Sequence, residues 1–103
     1  SQVHLTSKVI EEEIGLGELI TLLKLNQGAA ALVELRLPET SPCQGKAIRD
    51  LNLPGDTVIV SIIRAGKLII PRGDTHLEVG DDILAVSTVA AEKPLKDLLV
   101  GTP

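Results

Sequence analysis

The sequence has no phenylalanine, tyrosine, tryptophan or methionine among its 103 residues, and it has a single cysteine. Without aromatic rings, the chain lacks the surfaces on which single-stranded nucleic acids usually stack. Its formal net charge of −4 also disfavours contact with a phosphate backbone. We therefore expect no nucleic-acid partner. One cysteine cannot form an internal disulfide, and this is typical of a reducing, cytoplasmic compartment.

Long apolar runs are also missing. No run approaches the roughly 20 residues that a membrane-spanning helix needs, and the N-terminus lacks the pattern of a signal peptide. We expect no direct insertion into a membrane. The sequence is nevertheless 44% hydrophobic, so a chain of this length can form one core built almost wholly from Leu, Ile, Val and Ala.

The first quarter of the chain is predicted to be helical. Thr6 or Ser7 can cap a helix, because their hydroxyls accept hydrogen bonds from its first amides. The apolar residues further on repeat at the spacing of one helical face: Leu16, Leu19, Ile20 and Leu23. We expect residues 1–28 to form a helical linker or dimerisation segment, followed by a regulatory domain over residues 29–103.

Beyond residue 28 the apolar period becomes alternating. The pattern predicts a strand over residues 32–37, a short helix over 46–53, a hairpin over 57–71, a strand over 82–87 and a last helix from Glu92. Strands joined in tandem hairpins predict an α+β fold, with a small antiparallel or mixed sheet and flanking helices.

The predicted hairpin is apolar on both sides. Val58, Val60 and Ile62 alternate with Ile59 and Ile63, and the returning strand is also apolar on both sides, with Leu68, Ile69 and Ile70. A hairpin in a small monomer normally has one solvated face. The second apolar face therefore predicts an interface, and we expect a homodimer with the hairpins around a twofold axis. The alternative is that the N-terminal helix covers this face within one chain.

Catalytic and metal-binding patterns are weak. The only imidazoles are those of His4 and His76, and Cys43 lies in a loop that offers no activating base, so we expect no enzyme activity. Four carboxylates close together in the sequence could offer oxygen ligands to a hard cation: Asp74, Glu78, Asp81 and Asp82. Their spacing is not that of a calcium loop, and we expect no resident metal.

From Leu32 to Val100 the sequence resembles the RCK_C (TrkA C-terminal) domain family. The resemblance depends on the order and spacing of short segments: Val33-Glu34-Leu35, Ser41-Pro42 with Gly45-Lys46, Leu51-Asn52-Leu53-Pro54, Ile62-Ile63-Arg64, residues 69–75 and residues 77–84. It implies an RCK_C-like regulatory domain of a TrkA-type potassium-uptake system, which dimerises and follows a helical link. Such a domain is cytoplasmic and peripheral to the inner face of the membrane, where it contacts a potassium channel or transporter subunit.

Some members of this family bind cyclic di-AMP, a twofold-symmetric dinucleotide, between two C-terminal domains. The resemblance implies a ligand cleft at Val58, Ile59, Ile70 and Pro71, with Arg64 or Arg72 available for the phosphates. Some nucleotide-binding members have asparagine at about position 58, so this chain departs from their pattern there. No cofactor is expected in this chain, because NAD or ATP binds a separate Rossmann-type domain in full-length members. The alternative function is a dimerisation or accessory domain of another cation transporter or antiporter, with no small-molecule ligand.

Overall fold

The computed structural model describes residues 14–102, in which five strands form one sheet and a C-terminal helix packs on it. The elements are β1 (Leu19–Leu25), β2 (Ala30–Arg36), β3 (Thr57–Arg64), β4 (Lys67–Ile69), β5 (Asp82–Ser87) and α1 (Glu92–Val100). The strand order is β1-β2-β5-β3-β4, and every neighbouring pair is antiparallel. The predicted α+β class with a small antiparallel sheet is therefore confirmed.

The central strands β2 and β5 alternate between buried and half-buried residues, as a strand with one covered face should. Leu35 and Ile83 are directly paired and each is only 1% exposed. Leu95 and Leu99 of α1 are fully buried in the same cluster, because they lie four residues apart on one side of the helix. We call this covered side of the sheet the core face.

The opposite side of the sheet, which we call the outer face, carries a row of apolar residues beside charged ones such as Glu34, Arg36 and Asp82. The strand register places four apolar side chains next to one another across four strands: Leu23, Leu32, Val86 and Val58. Leu23 is 51% exposed and Val58 is 53% exposed, whereas the two between them are half-buried. An apolar row thus crosses the sheet on the side away from α1.

The predicted helix is wrong for residues 19–25, which form the edge strand β1. A bulge between Thr21 and Leu23 shifts the register of β1 against β2, so the leucine spacing satisfies a strand as well as a helix. Residues 14–18 are not helical either, and the part of the helix prediction over residues 1–13 lies outside the described residues. The sheet extends across the predicted boundary after residue 28. A role of the first segment in dimerisation stays a prediction.

The short helix predicted over residues 46–53 is reduced to one 3₁₀ turn, Ile48–Asp50. Besides the local bonds of this turn, the backbone here bonds to a distant segment. The amide of Ile48 donates to the carbonyl of Thr75 at 2.9 Å, and Leu77 donates to Lys46 at 3.0 Å. The last helix is confirmed as α1. Among residues 14–102, none of the helices combines the length and the hydropathy that a membrane span requires.

The predicted hairpin is confirmed as β3 and β4, although β4 ends at Ile69 rather than at residue 71. Its turn residues, Ala65 and Gly66, have φ angles of 51° and 76°, as a two-residue turn with left-handed geometry requires. A bulge between Ile59 and Ser61 adds one residue to β3. Ile62 is therefore buried, and the prediction that it shares a face with Val58 and Val60 is wrong.

Candidate functional site

The hairpin exposes an apolar surface made by Val58, Val60, Leu68 and Ile70, which we call the hairpin surface. The exposed fractions of these side chains are 53%, 41%, 65% and 63% in the same order. Single exposed aliphatic residues are ordinary, but a group of them on one hairpin is typical of an interaction site. The apolar second face expected from the sequence is thus exposed at these positions.

Two of the predicted ligand residues, Val58 and Ile59, point to opposite sides of the sheet. Val58 is on the hairpin surface, whereas Ile59 is 7% exposed and belongs to the core cluster. Ile59 pairs with Ala85 on the core face. Its side chain therefore does not line a surface cleft in this fold, and only Val58 of the two offers a contact surface.

The other apolar ligand residues, Ile70 and Pro71, follow directly after β4. Because Ile69 is opposite Ile62, the antiparallel register brings Ile70 to the level of Ser61, beside Val60 of the hairpin surface. Pro71 is half-buried and Arg72 is exposed. The amide of Arg72 donates to Thr75 Oγ1 at 2.9 Å, and its carbonyl accepts from the Thr75 amide at 3.1 Å. Ile70 and Pro71 thus lead from β4 into a turn that Arg72 closes with Thr75.

Arg64, the last residue of β3, is held by a buried carboxylate. Its Nε donates to Asp81 Oδ1 at 2.9 Å and its Nη2 donates to Asp81 Oδ2 at 2.9 Å, while the Asp81 side chain is fully buried. Nη2 also donates to the carbonyl of His76 at 2.9 Å. A second carboxylate, that of Glu78, also pairs with this guanidinium, and its Oε2 lies 2.9 Å from Arg64 Nε. The hydrogen bond to Asp81 raises the pKa of Arg64 above its ordinary value, against a smaller opposing effect of burial.

Three of the four carboxylates considered as cation ligands, Glu78, Asp81 and Asp82, are instead paired with arginines. Asp81 accepts from Arg64, and Asp82 accepts from Arg36 Nε at 2.8 Å and Nη2 at 3.1 Å. Both pairs are bidentate, a geometry that suits the planar guanidinium. Among residues 14–102, no group of three or more His, Cys, Asp or Glu side chains is placed to hold a metal ion.

Cys43 is buried beneath the last helix, at 2% exposure. Its Sγ donates to the carbonyl of Leu98 at 3.3 Å. Burial raises the pKa of the Cys43 thiol, while the charge of Lys46 and a hydrogen bond with Ser41 act in the other direction with smaller effect. A buried thiol with a raised pKa is a poor nucleophile at neutral pH.

Sequence reasoning missed the role of Asp81. The sequence pattern offered this residue only as a possible cation ligand, whereas Asp81 accepts two bonds from Arg64 and one from the Glu78 amide at 2.9 Å. A carboxylate beside an apolar strand is a signal for a buried ion pair, but the sequence does not name its partner. Reasoning from sequence also missed Leu23 and Leu25, which become exposed because β1 is a strand.

Comparison with known proteins agrees with this fold. Residues 32–100 match the model of the TrkA-C domain family, so the chain belongs to that family. The match contains most of β2 and all of β3, β4, β5 and α1, and β1 precedes it. The resemblance noted from the sequence is confirmed.

Two curated relatives and one solved structure illustrate the similarity. The Trk system potassium uptake protein TrkA of Mycobacterium tuberculosis is 39% identical over 100 residues, which are 97% of this chain and 46% of that protein. A Trk system potassium uptake protein TrkA homolog of Archaeoglobus fulgidus is 41% identical over 90 residues, 87% of this chain and 20% of that protein. A solved structure described as "Structure of RCK domain with cda" has 29% identity and a TM-score of 0.61, over 66% of this chain and 96% of that one. The chain thus spans about half or less of these curated relatives.

Proposed function

We propose that this chain is a ligand-sensing regulatory domain of a potassium-uptake system, and that it acts as a homodimer at the cytoplasmic side of a membrane transporter subunit. Membership of the TrkA-C family supports the regulatory role. The observation that carries the proposal is the exposed hairpin surface of Val58, Val60, Leu68 and Ile70. The domain has no catalytic function in this proposal, in keeping with the buried Cys43 thiol.

The hairpin surface fits a second copy of the same chain. Its four members are aliphatic, so the same surface on another copy is chemically complementary to it, as a twofold interface requires. The surface lies at the β4 edge of the sheet, where, among residues 14–102, an approaching copy meets no strand beyond β4. Removing this apolar area from water favours association by about 25 cal/mol for each Å² buried.

A junction between two hairpin surfaces duplicates every side chain around it, so it suits a twofold-symmetric ligand. Cyclic di-AMP has that symmetry, and the structural relative was solved with a molecule whose abbreviation, cda, fits it. In this proposal Val58, Ile70 and Pro71 contact the bases, while Arg72 faces the phosphates. Bound ligand then favours one mutual orientation of the two domains by its differential affinity, and this shifts the transporter between states.

The dimer is tested by sedimentation of Val58→Asp and Leu68→Asp, because a charge at the centre of an apolar interface remains partly desolvated and opposes association. Leu25→Asp is the matched control: Leu25 is 52% exposed, like Val58, but lies on β1 at the other edge of the sheet. We expect the two hairpin variants to be monomeric and the control to remain dimeric. A monomeric wild-type chain would contradict the proposal.

The ligand is tested by calorimetric titration of the wild-type chain with cyclic di-AMP. We expect binding at about micromolar concentration or below, with one ligand for two chains, and its loss in Val58→Asp. A dimer that gives no heat with millimolar ligand would refute sensing. That result would favour the alternative, an accessory dimerisation domain of a cation transporter or antiporter.

A further inference from the structure

The Arg64–Asp81 pair connects two parts of the fold that are distant along the chain. Arg64 is the final residue of β3, immediately before the hairpin turn. Asp81 precedes β5 and is separated from Arg64 by 17 positions. The carboxylate of Asp81 also accepts from the Glu78 amide, and its backbone carbonyl accepts from the Leu37 amide at 3.0 Å. Asp81 therefore joins the segment before β5 to the end of β3 through its buried carboxylate, and to the end of β2 through its backbone carbonyl.

The same arginine holds the far end of the turn that contains the predicted ligand residues. Residues 70–76 begin after Ile69, which is paired with Ile62, and end at His76, whose carbonyl accepts from Arg64 Nη2 at 2.9 Å. Both ends of this segment are thus fixed to β3, one by strand pairing and one by the guanidinium. Its middle is held by the Arg49 amide, which donates to the Gly73 carbonyl at 2.9 Å.

The charges around Arg64 do not suit an anionic ligand. One guanidinium is within 2.9 Å of carboxylate oxygens of both Asp81 and Glu78, so these three groups have a net charge of one negative unit. That net charge would repel an approaching phosphate, because the two carboxylates outweigh the attraction of the phosphate to the guanidinium. Arg72 differs, because its side chain is exposed and no salt bridge within residues 14–102 includes it.

We propose that Arg64 and Asp81 are a positioning pair, which fixes residues 70–76 against β3 and so sets the place of Ile70 and Pro71 on the hairpin surface. Arg64 does not contact a phosphate, and that contact belongs to Arg72. The part of this inference that concerns a ligand rests on the proposed function. The positioning of residues 70–76 does not, since it follows from contacts within one chain.

The positioning role is tested by backbone amide hydrogen exchange on the whole chain. In Arg64→Lys the ammonium keeps the charge but loses the planar fork that bonds to Asp81 and His76 together. We expect exchange over residues 70–78 to become about tenfold faster or more, while amides of β2 and β5 keep their wild-type rates. If the substitution instead lowered the stability of the whole fold, amide exchange would become faster across the sheet as well, because global unfolding would become easier.

The chain offers a matched control in its second bidentate pair. Asp82→Asn weakens the bond to Arg36 and should leave exchange over residues 70–78 unchanged. If Arg64→Lys is unstable, the double variant Arg64→Met with Asp81→Leu removes the pair without leaving a buried charge unpaired. Unchanged exchange over residues 70–78 in both Arg64 variants would overturn the positioning role.

The ligand part is tested by cyclic di-AMP affinity at low and high salt. A direct charge contact adds to the salt dependence, because ions screen it. We expect Arg72→Gln to reduce the salt dependence. The Arg64→Met, Asp81→Leu variant should bind about tenfold more weakly with the wild-type salt dependence.

If Arg64→Gln reduces the salt dependence as much as Arg72→Gln does, Arg64 contacts the phosphate and the inference is wrong. If the wild-type chain does not bind cyclic di-AMP, the proposed ligand fails, while amide exchange still decides the positioning role.

Discussion

The core face of this sheet and the apolar row across its outer face are built from the same few aliphatic residue types but differ in what covers them. On the core face, Ile62 and Ile83 are opposite one another and no more than 1% exposed, and Leu95 of α1 is in the same cluster. On the outer face, Val58 and Leu23 are about half exposed, at 53% and 51%. Residue type alone therefore does not distinguish a core from an interface in this chain.

The difference has a thermodynamic consequence. Burial on the core face is complete in one chain, so it contributes to folding at any protein concentration. Burial at the hairpin surface needs a second copy in the proposed function, so its contribution follows mass action and grows with concentration. Substitutions on the two faces should therefore differ in how much they lower the free energy of unfolding, and also in how that loss depends on protein concentration.

The largest difference is expected between Ile62→Ala and Val58→Ala. Ile62 is fully buried, so its truncation leaves a cavity and should lower the free energy of unfolding by about 2–5 kcal/mol at every concentration. Val58→Ala should cost less than about 0.5 kcal/mol in dilute solution, as is usual for an exposed position. Its cost should increase as the protein is concentrated. Urea denaturation at two protein concentrations measures both, and equal, concentration-independent losses would contradict the comparison.

A smaller difference in the loss of stability is expected between two substitutions within β5, where adjacent residues point to opposite faces. Ala85 is 1% exposed on the core face, between Val33 and Ile59, whereas Val86 is half-buried on the outer face. Ala85→Leu should destabilise the chain by about 1–3 kcal/mol, because the packed core has no room for the added carbons. Val86→Leu is the control and should change stability by less than about 0.5 kcal/mol. Similar losses in thermal unfolding would mean that the outer face is also closely packed.

Much of the core face could be predicted from the sequence, because its pattern is local. Val33 and Leu35 alternate with Glu34 and Arg36, and this pattern alone gives the strand and its buried side. The hairpin turn at Ala65-Gly66 and the last helix are also set by neighbouring residues. Such elements need no knowledge of the rest of the fold.

The outer face and the site depend on distant partners, which is why sequence reasoning failed there. The leucines of residues 19–25 fit a helix and a strand equally, and only pairing with β2 decides between them. The bulge at Ile59 and Ser61 exists only against β5, so the burial of Ile62 could not be read from alternation. The bond between Arg64 and Asp81 likewise exists because the topology brings the end of β3 close to the turn that precedes β5.

The smallest expected effect concerns a titratable group that packs with the core face, Cys43. Burial raises the pKa of its thiol in the folded chain, so above the ordinary thiol pKa of about 8.5 the unfolded chain loses a proton that the folded chain keeps. The unfolded state then binds fewer protons, and stability falls with rising pH by at most about 1.4 kcal/mol per pH unit until the folded pKa is reached.

Cys43→Ala removes this contribution, and titrations common to both proteins cancel when the two are compared. The stability advantage of the wild-type chain over Cys43→Ala should be constant below about pH 8 and shrink above it, as the unfolded thiol ionises. Val58→Ala is the control from the outer face: its difference from wild type, taken at one dilute protein concentration, should not change over the same pH range. Urea denaturation from neutral to alkaline pH measures both differences. An advantage over Cys43→Ala that stays constant up to pH values well above the ordinary thiol pKa would mean that the thiol ionises as readily inside the fold as outside it.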